Sequence, residues 1–274
     1  MAKQQRVTRV RSGIPNPLDA GGICIKNGEN MDAAVVAGEF RAEAPPRVNC
    51  PNCAFGHWAF GSLTGVEAKR FSGHVLHCRS IKRHDYVHRT GAPLRSVSII
   101  NSGVLKTCVQ SCNGKVQITG FSLRGDMIGL DAIAGGVHHS NTIALEDSSV
   151  CGIEYSCFEQ LTHDIPALQH LFNQTMSAEI AHAHDLMTSM GATQADERIV
   201  IFLLDLSNRF AAIGRSSVRL RLPMGRQEIG EYLGLTLETV SRTLSRLQEM
   251  DAIAIAGKDI EIKNVLRMWQ TAQT

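Results

Sequence analysis

The chain has 274 residues, 43% of them hydrophobic and 20% charged, with a formal net charge of +2. That is enough apolar material for two cores, and too little net charge to coat nucleic acid by bulk electrostatics, so any DNA contact must be local. No apolar run reaches the roughly 18 residues of a membrane span, and the first residues hold no continuous apolar signal core, which predicts a cytosolic protein.

Residues 1–47 begin with Lys3, Arg6, Arg9 and Arg11, continue through Pro15, Pro17, Gly21 and Gly22, and end at Pro45–Pro46. This composition predicts a flexible extension, with a short helix over Asn30–Ala37 as the one exception. The cysteines stand at 24, 50, 53, 78, 108, 112, 151 and 157. In a reducing compartment a chain this large does not need a disulfide scaffold, so they read as small buried hydrophobes or metal ligands. Cys50-Pro-Asn-Cys53 places two thiols on one turn. It fits a redox pair, half a zinc site, or two ligands of an iron–sulfur cluster. His74 and His77 near Cys78 keep zinc open.

A short helix is expected around Gly65–Gly73. Residues 80 to about 160 alternate apolar and polar positions in short runs, turned at Asn101-Ser-Gly103, Cys112-Asn-Gly114 and Arg124-Gly125-Asp126. That spacing predicts an antiparallel β-barrel or jelly roll over a domain of residues 48–165. Cys108 reads as a core residue.

Leu168 to about Met190 predicts one long helix. Met176, Ile180, Ala183, Met187 and Met190 repeat at steps of 4, 3, 4 and 3. That narrow stripe is a coiled-coil seam and predicts a homodimer through residues 166–192. Asp196–Ile213 predicts a further helix facing a core. Ser216–Pro223 predicts a strand.

Residues 193–274 close on a two-helix unit. Met224–Leu233 predicts the first helix, Gly234 the turn, and Thr236 the cap of a second helix running to about Gln248. Val240, Leu244 and Leu247 form its apolar stripe, leaving Glu238, Ser241, Arg242 and Arg246 on other faces. A rigidly held second helix places side chains in the major groove. Arg242 can pair bidentately with guanine, Glu238 can accept from a cytosine amine, and Arg246 suits phosphate. Ala252–Ala256 and Lys258–Ile262, turned at Gly257, predict a two-stranded wing. The local charge is only weakly basic, nine Lys/Arg against seven Asp/Glu over residues 215–274. The DNA-binding assignment therefore rests on geometry.

Barrel, seam helix, winged reader and CxxC together resemble the cAMP receptor/FNR superfamily of bacterial transcription regulators, over about residues 48–270. The fold class implied is α+β, with a cyclic-nucleotide-binding-like barrel, a dimerisation helix and a winged helix-turn-helix. VQITGFSLRGDMIGLDAI and LPMGRQEIGEYLGLTLETVSR are similar to the oxygen-responsive FNR branch. Its E-x-x-S-R pattern falls here on Glu238, Ser241 and Arg242. The resemblance implies a palindromic TTGAT-type site, contact of the loops around Gly114 and Ser122–Asp126 with RNA polymerase, and a [4Fe–4S] cluster. It also implies Cys50, Cys53 and Cys151 as three of the cluster's ligands. The position where the branch carries its remaining N-terminal cysteine holds Ala59 or Gly61, neither of which can bind iron. Cys24, Cys78 or His57 could complete the set. Otherwise the cysteines form a cofactor-free or thiol-switched device on the same scaffold.

The cyclic-nucleotide branch holds its phosphate with an arginine. Gly129-Leu130-Asp131 and His139-Ser140 offer none, so no cyclic nucleotide is expected, because burying that anion unpaired would be costly. The sequence has no HExxH, no P-loop and no recognisable nucleophile elbow, so no enzyme is expected.

Overall fold

The structure is a computed structural model and describes residues 54–59, 61–75 and 78–272. The expected helix at Asn30–Ala37, Cys24, and the Cys50–Cys53 pair lie outside the described residues.

The front half begins with α1 (Ala54–Ala59) and α2 (Gly65–Ser72). Thr64 starts α2 through a capping box, its backbone N–H donating to Glu67 Oε2 at 2.8 Å. Eight strands follow: β1 (Cys78–Ile81), β2 (Tyr86–His88), β3 (Ser96–Ser102), β4 (Leu105–Gln110), β5 (Val116–Ser122), β6 (Met127–Ile128), β7 (Asn141–Ala144) and β8 (Ser148–Glu154). They pair antiparallel in two four-stranded sheets, ordered β1-β8-β3-β6 and β2-β7-β4-β5. Ile81, Ile100, Leu105, Ile128, Ala144 and Val150 form a core drawn from both sheets. The expected antiparallel barrel or jelly roll thus takes the form of two four-stranded sheets among the described residues.

The first sheet is buried on both sides, because alternate residues point to opposite faces. Ile100 enters the inter-sheet core. Val97, Ile99, Cys151 and Ile153 pack instead with Ala54, Ala59, Phe71, Phe158 and Leu161 from the helices. This explains why β3 is buried at four consecutive positions, Val97 to Ile100, although Ser98 among them is polar.

Helix α3 (Tyr155–Asp164) is separated from α4 (Pro166–Ala192) by Ile165, and Pro166 opens the new helix. Then come α5 (Ala195–Ala212), β9 (Arg219–Arg221), α6 (Arg226–Leu233), α7 (Leu237–Glu249), β10 (Ile253–Ala256), β11 (Asp259–Ile262) and α8 (Val265–Ala272). The wing has a third strand, with order β10-β11-β9.

The second sheet and the two-helix unit share one apolar cluster. Cys108, Ile118 and Phe121 pack into the same core as Phe202, Tyr232 and Leu233. The Phe121 ring centroid lies 5.0 Å from that of Tyr232 and 6.0 Å from that of Phe202. Polar contacts flank it: Lys106 Nζ meets Glu228 Oε1 at 2.7 Å, and Arg209 Nη2 meets Asp126 Oδ2 at 2.6 Å. Gln117 also donates to the Glu231 carbonyl at the foot of α6.

Candidate functional site

The reading helix α7 is built as its sequence requires. Thr236 caps it, its hydroxyl accepting from the Thr239 N–H at 3.2 Å. Val240, Leu244 and Leu247 are buried, and so is Thr243. Two glycines set the approach of α6. Gly234 adopts φ 68°, a left-handed conformation that favours glycine. A Cβ on Gly230 would lie 2.6 Å from the Leu235 carbonyl oxygen, so no larger residue fits that crossing.

Glu238 and Arg242 are exposed, and Ser241 between them is half-buried. The Glu238 backbone N–H, and then the Thr236 hydroxyl, hold the Glu238 carboxyl below its usual range. It stays an acceptor at neutral pH. Arg246, expected at phosphate, is engaged within the protein, with Nη1 2.7 Å from Asp196 Oδ2. Thr243 donates to the other oxygen of the same carboxylate. Asp196 sits in the first turn of α5, where its only signal in the sequence is that of an acid suited to a helix N-terminus.

On α4, Ile180 and Met187 are 53% and 62% exposed, far above what large apolar side chains normally show. Ala183 between them is exposed too, and Met176 is half-buried. Met190 differs. Its methyl lies against Gly234, 3.0 Å from where a Cβ would stand, so the end of the stripe touches the α6–α7 turn. His182 Nε2 makes a second link, 3.3 Å from the Tyr232 hydroxyl.

The cysteines part company with the expectation. Cys151 is bonded to Cys78 in a disulfide that joins β1 to β8, with Cα atoms 4.1 Å apart. The reason is register: the two are direct cross-strand partners, and such partners approach closely in an antiparallel pair. The expectation of no disulfide, drawn from compartment alone, is corrected at this pair. Cys108 is buried as expected, and burial pushes its thiol up. Ala59 is fully buried in the cluster that holds Cys151 and offers no sulfur there. His57 lies in α1, its side chain outside the described residues. The Trp58 indole N–H donates to Thr175 Oγ1 on α4 at 3.0 Å, so the helix that directly follows Cys53 is tied to the long helix.

A second group of polar side chains converges where the sequence showed only separate histidines. Asp131 Oδ2 accepts from the His139 N–H at 2.9 Å, the Ser140 N–H at 3.0 Å and the Ser140 hydroxyl at 2.7 Å. Its Oδ1 lies 3.1 Å from His138 Nδ1. The His138 ring stacks on His88, with centroids 3.7 Å apart and planes within 9°. His88 Nε2 is 3.0 Å from Thr142 Oγ1. Burial, then the neighbouring His138, brings His88 down to about 4. Burial would raise the Asp131 carboxyl, but hydrogen bonds from His138 and Ser140 outweigh it and hold that group far below the usual range. Of these residues His88, Asp131, Ser140 and Thr142 line a cavity of about 340 Å³, walled by both the second sheet and α4, including Met176, Glu179 and Ile180. Among the described residues, His88, Asp131 and His138 each bring one possible ligand atom within 4.8 Å of the others, and the group contains no cysteine.

Comparison with known proteins agrees with this architecture. Residues 197–270 match the Crp-like helix-turn-helix domain, and residues 78–164 match the cyclic nucleotide-binding domain. The chain is 36% identical over 220 residues to the transcriptional regulatory protein btr of Bordetella pertussis, covering 80% of this chain and 91% of that one. It is 36% identical over 218 residues to the fumarate and nitrate reduction regulatory protein of Escherichia coli, covering 79% and 87%. The solved structure of FixK2 from Bradyrhizobium japonicum superposes with a TM-score of 0.65 at 30% identity, covering 71% of this chain and 96% of that one. With the sheets, the long helix and the winged reader in place, these relatives show that the chain belongs to the CRP/FNR family of DNA-binding transcription regulators, in its FNR-like branch.

Proposed function

We propose that this chain is a cytoplasmic, homodimeric transcription regulator of redox-responsive genes, switched by its own thiols. Two copies joined along Ile180, Ala183 and Met187 would present two α7 helices to successive major grooves of a palindromic TTGAT-type site. Glu238, Ser241 and Arg242 read bases, and Thr236 positions the helix start. Arg246 acts by holding α7 to α5. The exposed turn Ser111–Lys115 around Gly114 is the contact offered to RNA polymerase. Cyclic nucleotide is not the effector in this reading. The Ser140 and His139 donors that could face a phosphate are already taken by the chain's own Asp131 carboxylate.

The observation that carries the thiol reading is the direct opposition of Cys78 and Cys151. Closing that pair removes two protons and two electrons, which a small-molecule disulfide can accept by becoming two thiols. The switch then acts on β1 and β8, against which α1 is packed, and Trp58 passes the change to Thr175, beside the start of the seam.

A second reading keeps an oxygen-labile [4Fe–4S] cluster. It is favoured by the burial of Ala54, directly after Cys53, in the same apolar cluster as Cys151. Cys50, Cys53, Cys151 and Cys78 would hold it, with Cys24 or His57 as substitutes for Cys78. A bound cluster would supply chemistry that oxygen destroys.

Anaerobic purification separates the two. Thiol switching predicts colourless, iron-free dimer. It also predicts operator affinity that changes on treatment with glutathione disulfide, and Cys78→Ser removes that change. Visible absorption with stoichiometric iron and sulfide would favour the second reading. Affinity indifferent to both oxidants would overturn the redox function altogether.

A further inference from the structure

We propose that the front half adds its own contact to DNA: Arg89, stacked on Tyr86 at the edge of the second sheet, binds the phosphate backbone flanking the bases that α7 reads. The inference rests on the DNA-reading role of α7 and extends the footprint beyond the reader.

The register of the second sheet places this pair. Phe121 of β5 lies opposite Lys106 of β4, Lys106 opposite Ile143 of β7, and Ile143 opposite Tyr86 of β2. Residues directly opposite in adjacent strands share a face. The first three touch the reader: Phe121 meets Tyr232, Lys106 meets Glu228, and Ile143 packs against the same apolar cluster. Tyr86 ends the row, on the edge strand and on the reader's side of the sheet. A bulge then interrupts β2 between Tyr86 and His88. Val87 enters the inter-sheet core and His88 bonds the buried Thr142, so both turn away from the reader. Arg89 returns to the outer face, its guanidinium carbon 3.5 Å from the Tyr86 ring centroid.

Stacking uses the flat face of a guanidinium and leaves its N–H donors free at the rim. The ring thus fixes the exposed Arg89 cation without neutralising it. Residues 79–95 hold five Lys/Arg against one acid, Asp85. Lys82 is engaged with Asp147, but Arg83 and Arg95 are exposed like Arg89. The partner such a surface suits is a polyanion, and its position makes that polyanion DNA. Lys106 meets Glu228 in the first turn of α6. In a helix-turn-helix the first helix crosses the DNA backbone. Tyr86 lies two strands beyond Lys106, about 10 Å away, which is roughly three base steps along a DNA strand.

Full-length protein is bound to two duplexes carrying the same TTGAT-type palindrome, one ending at the palindrome and one extended by about 10 base pairs on each side. Fluorescence anisotropy at several salt concentrations gives the affinities. The parent should bind the extended duplex more tightly and with the steeper salt dependence. Arg89→Ala should lose about three- to tenfold on the extended duplex, lower its log–log salt slope by about one per chain, and leave the short duplex unchanged. Arg89→Glu should lose more. Neither should alter discrimination against a changed half-site base, because a phosphate contact carries no sequence information. Equal parental affinity for both duplexes, or an Arg89→Glu variant that matches the parent on the extended one, would overturn the contact and leave the reader standing. So would an equal loss on both duplexes, which marks a structural effect. A parent that binds neither duplex would overturn the operator reading and the contact with it.

Discussion

Arg246 of the reading helix holds Asp196 of α5 at 2.7 Å, while Thr243, one turn earlier, donates to the other oxygen of that carboxylate. One acid thus fixes α7 at two points, and a residue on the DNA-facing helix is used to aim it. Asp196→Ala unpairs both partners. It should lower unfolding stability by about 1–2 kcal/mol, the Arg246 share being small because that guanidinium is partly exposed. Urea denaturation reads the loss, and operator binding should weaken alongside it.

Arg242 is exposed and shows no such ion pair among the described residues, as the proposed base-reading role requires. Arg242→Ala should leave the melting temperature unchanged and cost about 1–3 kcal/mol in discrimination between a TTGAT-type site and one altered at its guanine. Fluorescence anisotropy at fixed salt measures it. Equal affinity for both duplexes in the parent chain would refute the base-reading role.

Gly230 allows the two reader helices to cross. Gly230→Ala forces a Cβ to 2.6 Å from a backbone oxygen that cannot swing aside. A loss of about 1–3 kcal/mol is expected from such overpacking, read by thermal melting.

The exposed pair Ile180 and Met187 should carry self-association. Ile180→Glu with Met187→Glu places charge in the proposed seam. Sedimentation velocity should then find monomer at concentrations where the parent is dimeric, with far-UV circular dichroism unchanged.

His88 predicts the slope of acid stability. Its pKa is near 4 in the fold and about 6.5 when unfolded, so between those values the unfolded chain binds the extra proton. Stability should fall as pH drops from about 6.5 toward 4, and His88→Gln should flatten that portion of the curve. Equilibrium unfolding at stepped pH tests it.

Much of this was legible in the sequence because it follows from local periodicity. The α7 stripe of Val240, Leu244 and Leu247, the Thr236 cap, the Gly234 turn and the wing all stand where spacing puts them. What the sequence hid depends on register and on long-range convergence. Nothing near Cys78 announces that it faces Cys151, since a one-residue slip in β1 would turn it away. His88, Asp131 and His138 meet because β2, the turn after β6 and the entry to β7 fold onto one another. Arg246 looked like a phosphate ligand because its partner lies 50 positions earlier, on a helix whose first-turn acids needed no explanation.

The shared packing of Phe121 with Tyr232 and Phe202 bears on how such a protein could be re-engineered. Suppose a sensor half grafted from a relative lacked an aromatic in the place of Phe121 and a cation in the place of the Lys106 that meets Glu228. The transplanted reader would then lose one wall of its own interior. Front and back are therefore not interchangeable parts, and a working hybrid must carry the outer face of β4 and β5 along with α6.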